Sequence, residues 1–152
     1  MVPLVVTPRF GAIDYPESAV IHFPAGLPAF EHHRHFLALE RPDAAPILFL
    51  QSLTDVTLCL HAVPVRLIDP AYELHLLPDD LRLLGLSPAA QPAIGGDLVC
   101  LAVLHIPSHG PPTANLLAPV VIRRDSHLGV QAVQVDTAYT HAHPLFAVEA
   151  AC

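Results

Sequence analysis

The sequence contains no lysine and no tryptophan, and only 14% of its residues are charged. Seven arginines stand against 14 acidic residues, which gives a formal net charge of −7. A protein that binds DNA or RNA directly needs clustered basic side chains to neutralise phosphates. The adjacent pair Arg123-Arg124 is followed at once by Asp125. The composition therefore argues against direct binding to nucleic acid.

The acidic balance itself has two interpretations, and the sequence leaves both open. An acidic surface can steer a protein toward a basic protein partner. It can also serve only to keep an apolar chain in solution, because 53% of the residues are hydrophobic.

Long apolar runs are missing as well. The longest stretch without Asp, Glu, Lys or Arg, residues 98–122, is interrupted by prolines and histidines, whereas a spanning helix needs about 20 apolar residues. The first ten residues do not place a basic region before an apolar one, so no signal peptide is predicted. We expect one domain covering residues 1–152, with no membrane association and a cytoplasmic location.

Cysteine is scarce and gives no framework for disulfide bonds. Cys59, Cys100 and Cys152 form no CxxC motif and no close pair. An odd number of scattered cysteines is typical of a reducing compartment.

Histidine, in contrast, is abundant, with 11 residues. No group shows the spacing of a structural zinc site, so we predict no metal and no cofactor. If a metal were bound, the first ligands to consider are His32, His33 and His35 with Glu31. Two other short pairings are Cys59 with His61 and His141 with His143.

Motifs for catalysis are absent too. The chain has no G-x-S-x-G elbow, no phosphate-binding glycine loop and no cysteine beside an evident activating group. The pair Asp79-Asp80 is better explained by capping of a helix than by acid–base chemistry. We therefore predict that the protein is not an enzyme.

What the sequence has in quantity is short β-rich runs bounded by Pro, Gly or Asp. In residues 129–135 glutamines alternate with apolar residues, which predicts a strand with one solvated face. Residues 98–104 are apolar at nearly every position and predict a strand covered on both faces. A single convincing helix is predicted over residues 78–85. We predict an all-β, barrel-like fold of many short antiparallel strands with one or two short helices. The predicted strands cover residues 4–7, 20–23, 36–39, 47–51, 56–63, 98–106, 120–123 and 130–135.

Two segments framed by Pro and Gly carry further information. In FPAGLPAF, residues 23–30, Gly26 suits a turn with positive φ, and the phenylalanines at both ends are expected to anchor the loop in the core. In TANLLAP, residues 113–119, Asn115 suits a local turn just before an apolar strand.

Together these segments resemble the FliW family. The resemblance rests on FPAGLPAF, on LFLQS at residues 48–52, on TANLLAPVVI at residues 113–122 and on residues 139–145 with His143-Pro144-Leu145. The sequence departs from the family pattern at Ala29, which replaces the last glycine of the first motif. It also has Phe49-Leu50 where the family has tryptophan, and Val63-Pro64 where Asp-Pro is common. The motif residues expected to have a structural role are Pro24, Gly26, Leu27, Pro28, Phe30, Gln51, Asn115, Pro119, His143 and Pro144.

The resemblance implies a flagellar assembly factor with two protein partners. One is flagellin before its export. The other is CsrA, a basic RNA-binding repressor of flagellin synthesis, which the free factor sequesters so that repression is relieved. As CsrA-binding acids we single out Asp69, Glu73, Asp79 and Asp80, expected around a strand at Tyr72 and the helix. As an apolar surface for flagellin we single out Phe23, Leu116 and Leu117.

Two other functions stay open at this point: a metal-dependent β-barrel enzyme that uses the histidines, and a β-barrel that binds a small ligand in a cavity. A relative that kept only one of the two protein partners is a further alternative.

Overall fold

The computed structural model describes residues 2–145, and within that range the chain forms ten strands and two short helices. Single 3-10 turns lie at Glu17–Ala19 and Pro42–Ala44. The strands and helices, in chain order, are β1 Leu4–Thr7, β2 Gly11–Asp14, β3 Ile21–His22, β4 His35–Glu40, β5 Leu48–Ser52, β6 Cys59–Pro64, α1 Val65–Ile68, α2 Pro78–Leu83, β7 Leu98–His105, β8 Thr113–Arg123, β9 Gly129–Gln131 and β10 His143–Pro144.

Eight of the strands form one antiparallel sheet in the order β10-β8-β7-β6-β5-β4-β3, with β9 paired to β8. A parallel bridge between His22 and Leu128 joins β3 to the start of β9, and the His22 amide donates to the His127 carbonyl at 2.9 Å. The sheet is thereby nearly closed into a barrel, which confirms the predicted fold class. Strands β1 and β2 form a separate hairpin.

Two cores lie on opposite faces of this sheet. The barrel core lies inside and contains Ile21, Phe23, Leu27, Phe36, Leu50, Ala62, Leu101, Val120 and Ile122. The outer core lies between the barrel wall and the segments that follow β6 and β9. It contains Val65, Tyr72, Leu76, Leu81, Leu84, Leu98, Cys100, Ala102, Ala114, Leu116, Val121, Val130 and Ala132.

Strand β7 is the wall between the two cores. Leu98, Cys100 and Ala102 face the outer core, while Leu101 faces the barrel core. Alternate side chains of a strand point to opposite faces, so a strand with a core on each side has to be apolar throughout. The prediction that residues 98–104 are covered on both faces is confirmed.

Two close approaches of the backbone explain why glycine is required at particular positions. Gly26 has φ +67°, and a Cβ there would lie 2.4 Å from the Glu31 carbonyl oxygen. At Gly129 a Cβ would lie 2.6 Å from the Phe23 ring. The first glycine allows the turn of the FPAGLPAF loop, and the second lets β9 approach the buried phenylalanine.

Several details of the prediction are wrong. The predicted strand over residues 130–135 extends only to Gln131, and its expected solvated glutamine face is absent, because Gln134 is 5% exposed while Val133 and Val135 are 47% and 48% exposed. The predicted strand over residues 120–123 is the end of the longer β8, which already begins at Thr113. The helix predicted over residues 78–85 is confirmed as α2.

Among residues 2–145, no helix is both long enough and apolar enough to span a membrane.

Candidate partner-binding site

A large bulge in β8 organises one side of the molecule. Leu101 of β7 pairs with Val120, whereas Val103 pairs with Asn115, so residues 116–119 stand opposite the single residue Ala102. The Asn115 side-chain oxygen accepts from the amides of Leu117 at 3.1 Å and Ala118 at 2.9 Å. Asn115 therefore stabilises a turn inside a strand, and not the turn before a strand that the sequence predicts.

Every carbonyl of the bulge accepts a hydrogen bond from another part of the chain. The Leu116 and Leu117 carbonyls accept from the Tyr72 hydroxyl at 2.6 Å and the Gln134 amide at 2.7 Å. The Ala118 and Pro119 carbonyls accept from the Gln131 side chain and the Ala132 amide, each at 2.9 Å. Unpaired backbone groups are costly to bury, so these four bonds attach residues 72 and 131–134 firmly to the bulge.

The segment around Tyr72 is not a strand, contrary to the prediction. Residues 73–77 have no regular secondary structure, and the Gln134 side chain stands in for a neighbouring strand. Its oxygen accepts from the His75 amide at 2.8 Å, and its nitrogen donates to the His75 carbonyl at 3.0 Å. A side-chain amide carries both donors and acceptors, as a peptide group does. Gln134 therefore fixes the position of this segment.

Two tyrosines complete the attachment. The rings of Tyr72 and Tyr139 stack with centroids 4.3 Å apart, and the Tyr139 hydroxyl accepts from the Glu73 amide at 2.9 Å. Burial raises the pKa of the Tyr72 hydroxyl well above its ordinary value of 10. Tyr72 therefore keeps its proton and remains a hydrogen-bond donor to Leu116 throughout the neutral pH range.

These contacts create an open groove of about 420 Å³ between residues 73–75 and residues 134–139. Glu73 and Asp136 contribute carboxylates to its lining, and both residues are exposed. Asp136 has φ +51°, a left-handed conformation that Asp tolerates better than most residues. No local sequence pattern pairs Asp136 with Glu73, so the sequence does not predict Asp136 as a residue of this groove.

The four predicted acids have different environments. Glu73 lines the groove, and the half-buried Asp69 nearby accepts from the Ala71 amide at 3.0 Å. Asp79 is paired with Arg82 at 2.6 Å on the surface of α2. Asp80 accepts from the Leu77 amide at 3.2 Å and thereby caps α2, and burial raises the pKa of its carboxyl. Of the four predicted acids, only Glu73 lines the groove, and Asp69 lies beside Tyr72, whose amide donates to the Asp69 carbonyl at 3.0 Å.

The expected apolar surface has to be corrected in a similar way. Phe23 is fully buried and Leu116 is only 2% exposed, because they belong to the barrel core and the outer core. Only Leu117 of that set is partly exposed. The Leu117 carbonyl accepts from the backbone amide of Gln134. The residues on either side of Gln134 in the sequence, Val133 and Val135, are exposed. Val135 lines the groove, and Val133 and Leu117 adjoin it through Gln134, which precedes Val135 and bonds to the Leu117 carbonyl.

The FPAGLPAF loop is closed by paired backbone hydrogen bonds between Leu27 and Phe30. Leu27 is buried at 2% exposure, but Phe30 is 39% exposed, so the expectation that both phenylalanines anchor the loop is wrong. Ala29 has φ +69°, and its amide donates to the Glu31 carboxylate at 3.0 Å. The alanine that replaces the family's glycine therefore occupies a position where glycine is favoured.

Other motif residues also have structural contacts. The Gln51 side chain donates to the Val56 carbonyl at 2.9 Å and holds the turn between β5 and β6. Pro119 ends the bulge, where a missing amide costs nothing. His143 and Pro144 form β10 and pair with Ala114 and Thr113 at the edge of the sheet.

The histidines do not converge. Within the described part of the chain, no three His, Cys, Asp or Glu side chains lie close enough together to hold a metal ion. His33 contacts the Ser52 hydroxyl at 3.0 Å, His35 stacks on His22, and the Glu31 carboxylate accepts from Ala29. These contacts give separate structural roles to residues that the sequence groups as potential ligands.

Comparison with known proteins is consistent across nearly the whole chain. A family model described as FliW protein matches residues 4–145. The flagellar assembly factor FliW of Syntrophomonas wolfei is 31% identical over 143 residues, which cover 93% of this chain and 88% of the relative. That of Moorella thermoacetica is 34% identical over 147 residues, covering 93% and 87%.

A solved structure agrees with the sequence relatives. The crystal structure of the flagellar assembly factor FliW superposes with a TM-score of 0.82 at 28% identity, covering 95% of this chain and 97% of the other. The chain is thus similar to these proteins along nearly all of its described length. The chain belongs to the FliW family of flagellar assembly factors.

Proposed function

We propose that this protein is a non-enzymatic, cytoplasmic binding factor that holds flagellin before export and, when free, sequesters the repressor CsrA. The observation that carries the proposal is the groove between residues 73–75 and 134–139, with carboxylates in its lining and exposed valines beside it. A surface that combines charge with exposed apolar side chains fits protein partners.

The acidic part of the groove is suited to CsrA. Glu73, Asp136 and the adjacent Asp69 form no ion pair with an arginine of the described chain, whose three such pairs lie elsewhere. Their charge is therefore available to a basic partner, and it opposes the phosphates with which RNA would compete for the same partner. Binding that excludes or weakens RNA on CsrA relieves repression by linkage.

The apolar part is suited to flagellin. Val133, Val135 and Leu117 expose hydrocarbon next to the groove on a segment that hydrogen bonds hold against the bulge. An amphipathic helix buries its apolar side on such a surface. Because the apolar and acidic parts adjoin, one bound partner obstructs the other, which gives a switch between flagellin and CsrA.

The test for CsrA is calorimetric titration at several salt concentrations. The variant Asp69→Asn/Glu73→Gln/Asp136→Asn removes three charges while each amide keeps the size of the acid, and Asn keeps both the acceptor at 69 and the left-handed conformation at 136. We expect about tenfold weaker binding and a smaller dependence on salt, since exposed charges each contribute a fraction of 1 kcal/mol.

A matched control changes the net charge equally at a distance from the groove. The exposed acids Asp14, Glu17 and Glu40 serve for it, as Asp14→Asn/Glu17→Gln/Glu40→Gln. Equal loss of affinity in the two triple variants would show that total charge, and not the groove, attracts CsrA.

The test for flagellin uses Val133→Ser/Val135→Ser. We expect a loss of affinity for flagellin of about tenfold or more, because two exposed valines lose their contact area. The control Leu4→Ser/Val6→Ser removes two apolar side chains of β1 that are more exposed than the two valines. If both double variants bind flagellin as the unchanged protein does, flagellin binds elsewhere.

A further inference from the structure

A second, separate depression lies at one end of the barrel. Because neighbouring strands run antiparallel, one rim of the barrel contains the starts of β3, β5 and β7 and the ends of β4 and β8. The depression holds about 260 Å³. Six apolar side chains form its floor and walls: Ile21, Ala38, Leu48, Val99, Leu101 and Ile122.

Two polar side chains complete the lining, Arg124 and His127. Arg124 is exposed, and it takes part in none of the three ion pairs of residues 2–145. Its backbone amide is bound to the Asp97 carbonyl at 3.0 Å, which fixes the position of the arginine at the rim. An unpaired guanidinium over an apolar floor is suited to a carboxylate with a hydrocarbon tail.

His127 adds a second indication. Its Nδ1 atom is buried without a hydrogen-bond partner, one of two such side-chain atoms in the described chain. Its backbone has φ +58°, while its carbonyl accepts the His22 amide that closes the barrel. Because Nδ1 is closed to water, the other ring nitrogen, Nε2, is the atom with which His127 can donate to a ligand oxygen in the depression.

We propose that this depression binds a small amphipathic monocarboxylate, with its tail against the partly exposed Leu48 and Val99 and its carboxylate between Arg124 and His127. A cavity of about 150 Å³ holds the six carbons of benzene, so the present volume suits about ten non-hydrogen atoms. A carboxylate with a chain of eight carbons has that size. The site is distinct from the groove, and the proposal is independent of the protein partners.

Octanoate is the probe, and octanol is the neutral analogue with the same tail. We expect saturable binding of octanoate by calorimetry, and about tenfold weaker binding of octanol, because a hydrogen bond to a charged group is lost. Arg124→Gln should weaken octanoate about tenfold and leave octanol unchanged. His127→Asn keeps a residue that tolerates positive φ and should weaken octanoate to a smaller degree.

Two controls separate this site from unspecific uptake by an apolar protein. Arg82→Gln removes one positive charge from the exposed pair with Asp79 on α2 and should leave octanoate binding unchanged. Ala38→Phe places a ring at an exposed position of the depression and should abolish binding of both probes, with the fold checked by circular dichroism. Equal affinity for octanoate and octanol, equal effects of the two arginine variants, or full binding by Ala38→Phe would each overturn the proposal.

Discussion

The barrel core and the outer core are built by different kinds of interaction. Around the barrel core, β3 to β9 pair through backbone hydrogen bonds between neighbours in the sheet. Part of the cover of the outer core, residues 72–77, is held in place by side-chain hydrogen bonds: the Tyr72 hydroxyl donates to Leu116, and the Gln134 side chain bonds to His75. Backbone pairing tolerates most side-chain changes, whereas a cover attached by single side chains can be released by one substitution. The outer core, beside which the groove lies, should therefore open more readily than the barrel.

Cys100 allows this difference to be measured. It is 3% exposed in the outer core, and burial raises the pKa of its thiol to about 12. With Cys59→Ser and Cys152→Ser, labelling of Cys100 by an alkylating reagent reports opening of the outer core. Urea denaturation of the same protein reports unfolding of the whole chain.

The largest effect is expected from Phe23→Ala in the barrel core. The buried ring contacts Phe36 edge-on, with centroids 5.4 Å apart, and lies against Gly129. Its removal should lower the free energy of unfolding by about 3–5 kcal/mol. Because the whole chain depends on the barrel, Cys100 labelling should accelerate in proportion. Val133→Ala, at an exposed position, should change the stability by no more than about 0.5 kcal/mol.

The second-largest effect is expected from Gln134→Ala. This change removes the hydrogen bonds of the Gln134 side chain to the amide and carbonyl of His75 and to the carbonyl of Ala132. We expect a loss of about 1–3 kcal/mol in the free energy that keeps the outer core closed. Labelling of Cys100 should accelerate by more than the urea midpoint predicts. Gln131→Ala, which loses one hydrogen bond, is the milder control. Parallel changes in labelling and global stability would mean that the two cores unfold as one unit.

A gain in stability is expected from Ala29→Gly on the barrel side. Ala29 has φ +69°, where an L side chain costs about 1–2 kcal/mol relative to ordinary backbone. Glycine should recover about 1 kcal/mol after its own loss of chain entropy. At Ala25, which is not among the positions with positive φ, the same substitution should cost about 0.4–1 kcal/mol. Thermal denaturation of both variants distinguishes relief of strain from a general effect of glycine.

The smallest effect concerns pH and the helix beside the outer core. Burial raises the pKa of Asp80 above 3.8, so the folded chain holds this proton more tightly than the unfolded chain. The stabilisation that this pKa difference gives is complete below pH 3.8, and it is lost as the pH rises through the pKa of Asp80 in the folded chain. Asp80→Asn keeps an acceptor for the Leu77 amide but does not titrate. The stability of the unchanged protein relative to Asp80→Asn should fall as the pH rises across that interval, measured by urea denaturation.

The sequence predicts the barrel core better than the outer core, for a physical reason. Local runs of apolar residues predict strands such as β5 and β7. The bonds that position the groove join residues 44 and 59 positions apart, and no local pattern signals such pairs. Gln134, set between valines, resembles a solvated residue in sequence but is buried, because its amide replaces a strand partner. For the same reason the sequence does not predict that Asp136 lies near Glu73.

Closure of the barrel through His22 and His127 joins residues more than a hundred positions apart. On the ribosome, β3 to β8 can pair in the order in which they emerge, but β3 has no partner on its second side until residues 127–131 have been made. Until then the nascent chain presents an open edge that other strands can occupy. Most of the polypeptide must therefore be translated before the barrel is complete, and fragments that stop before β9 should be sensitive to proteolysis and aggregation.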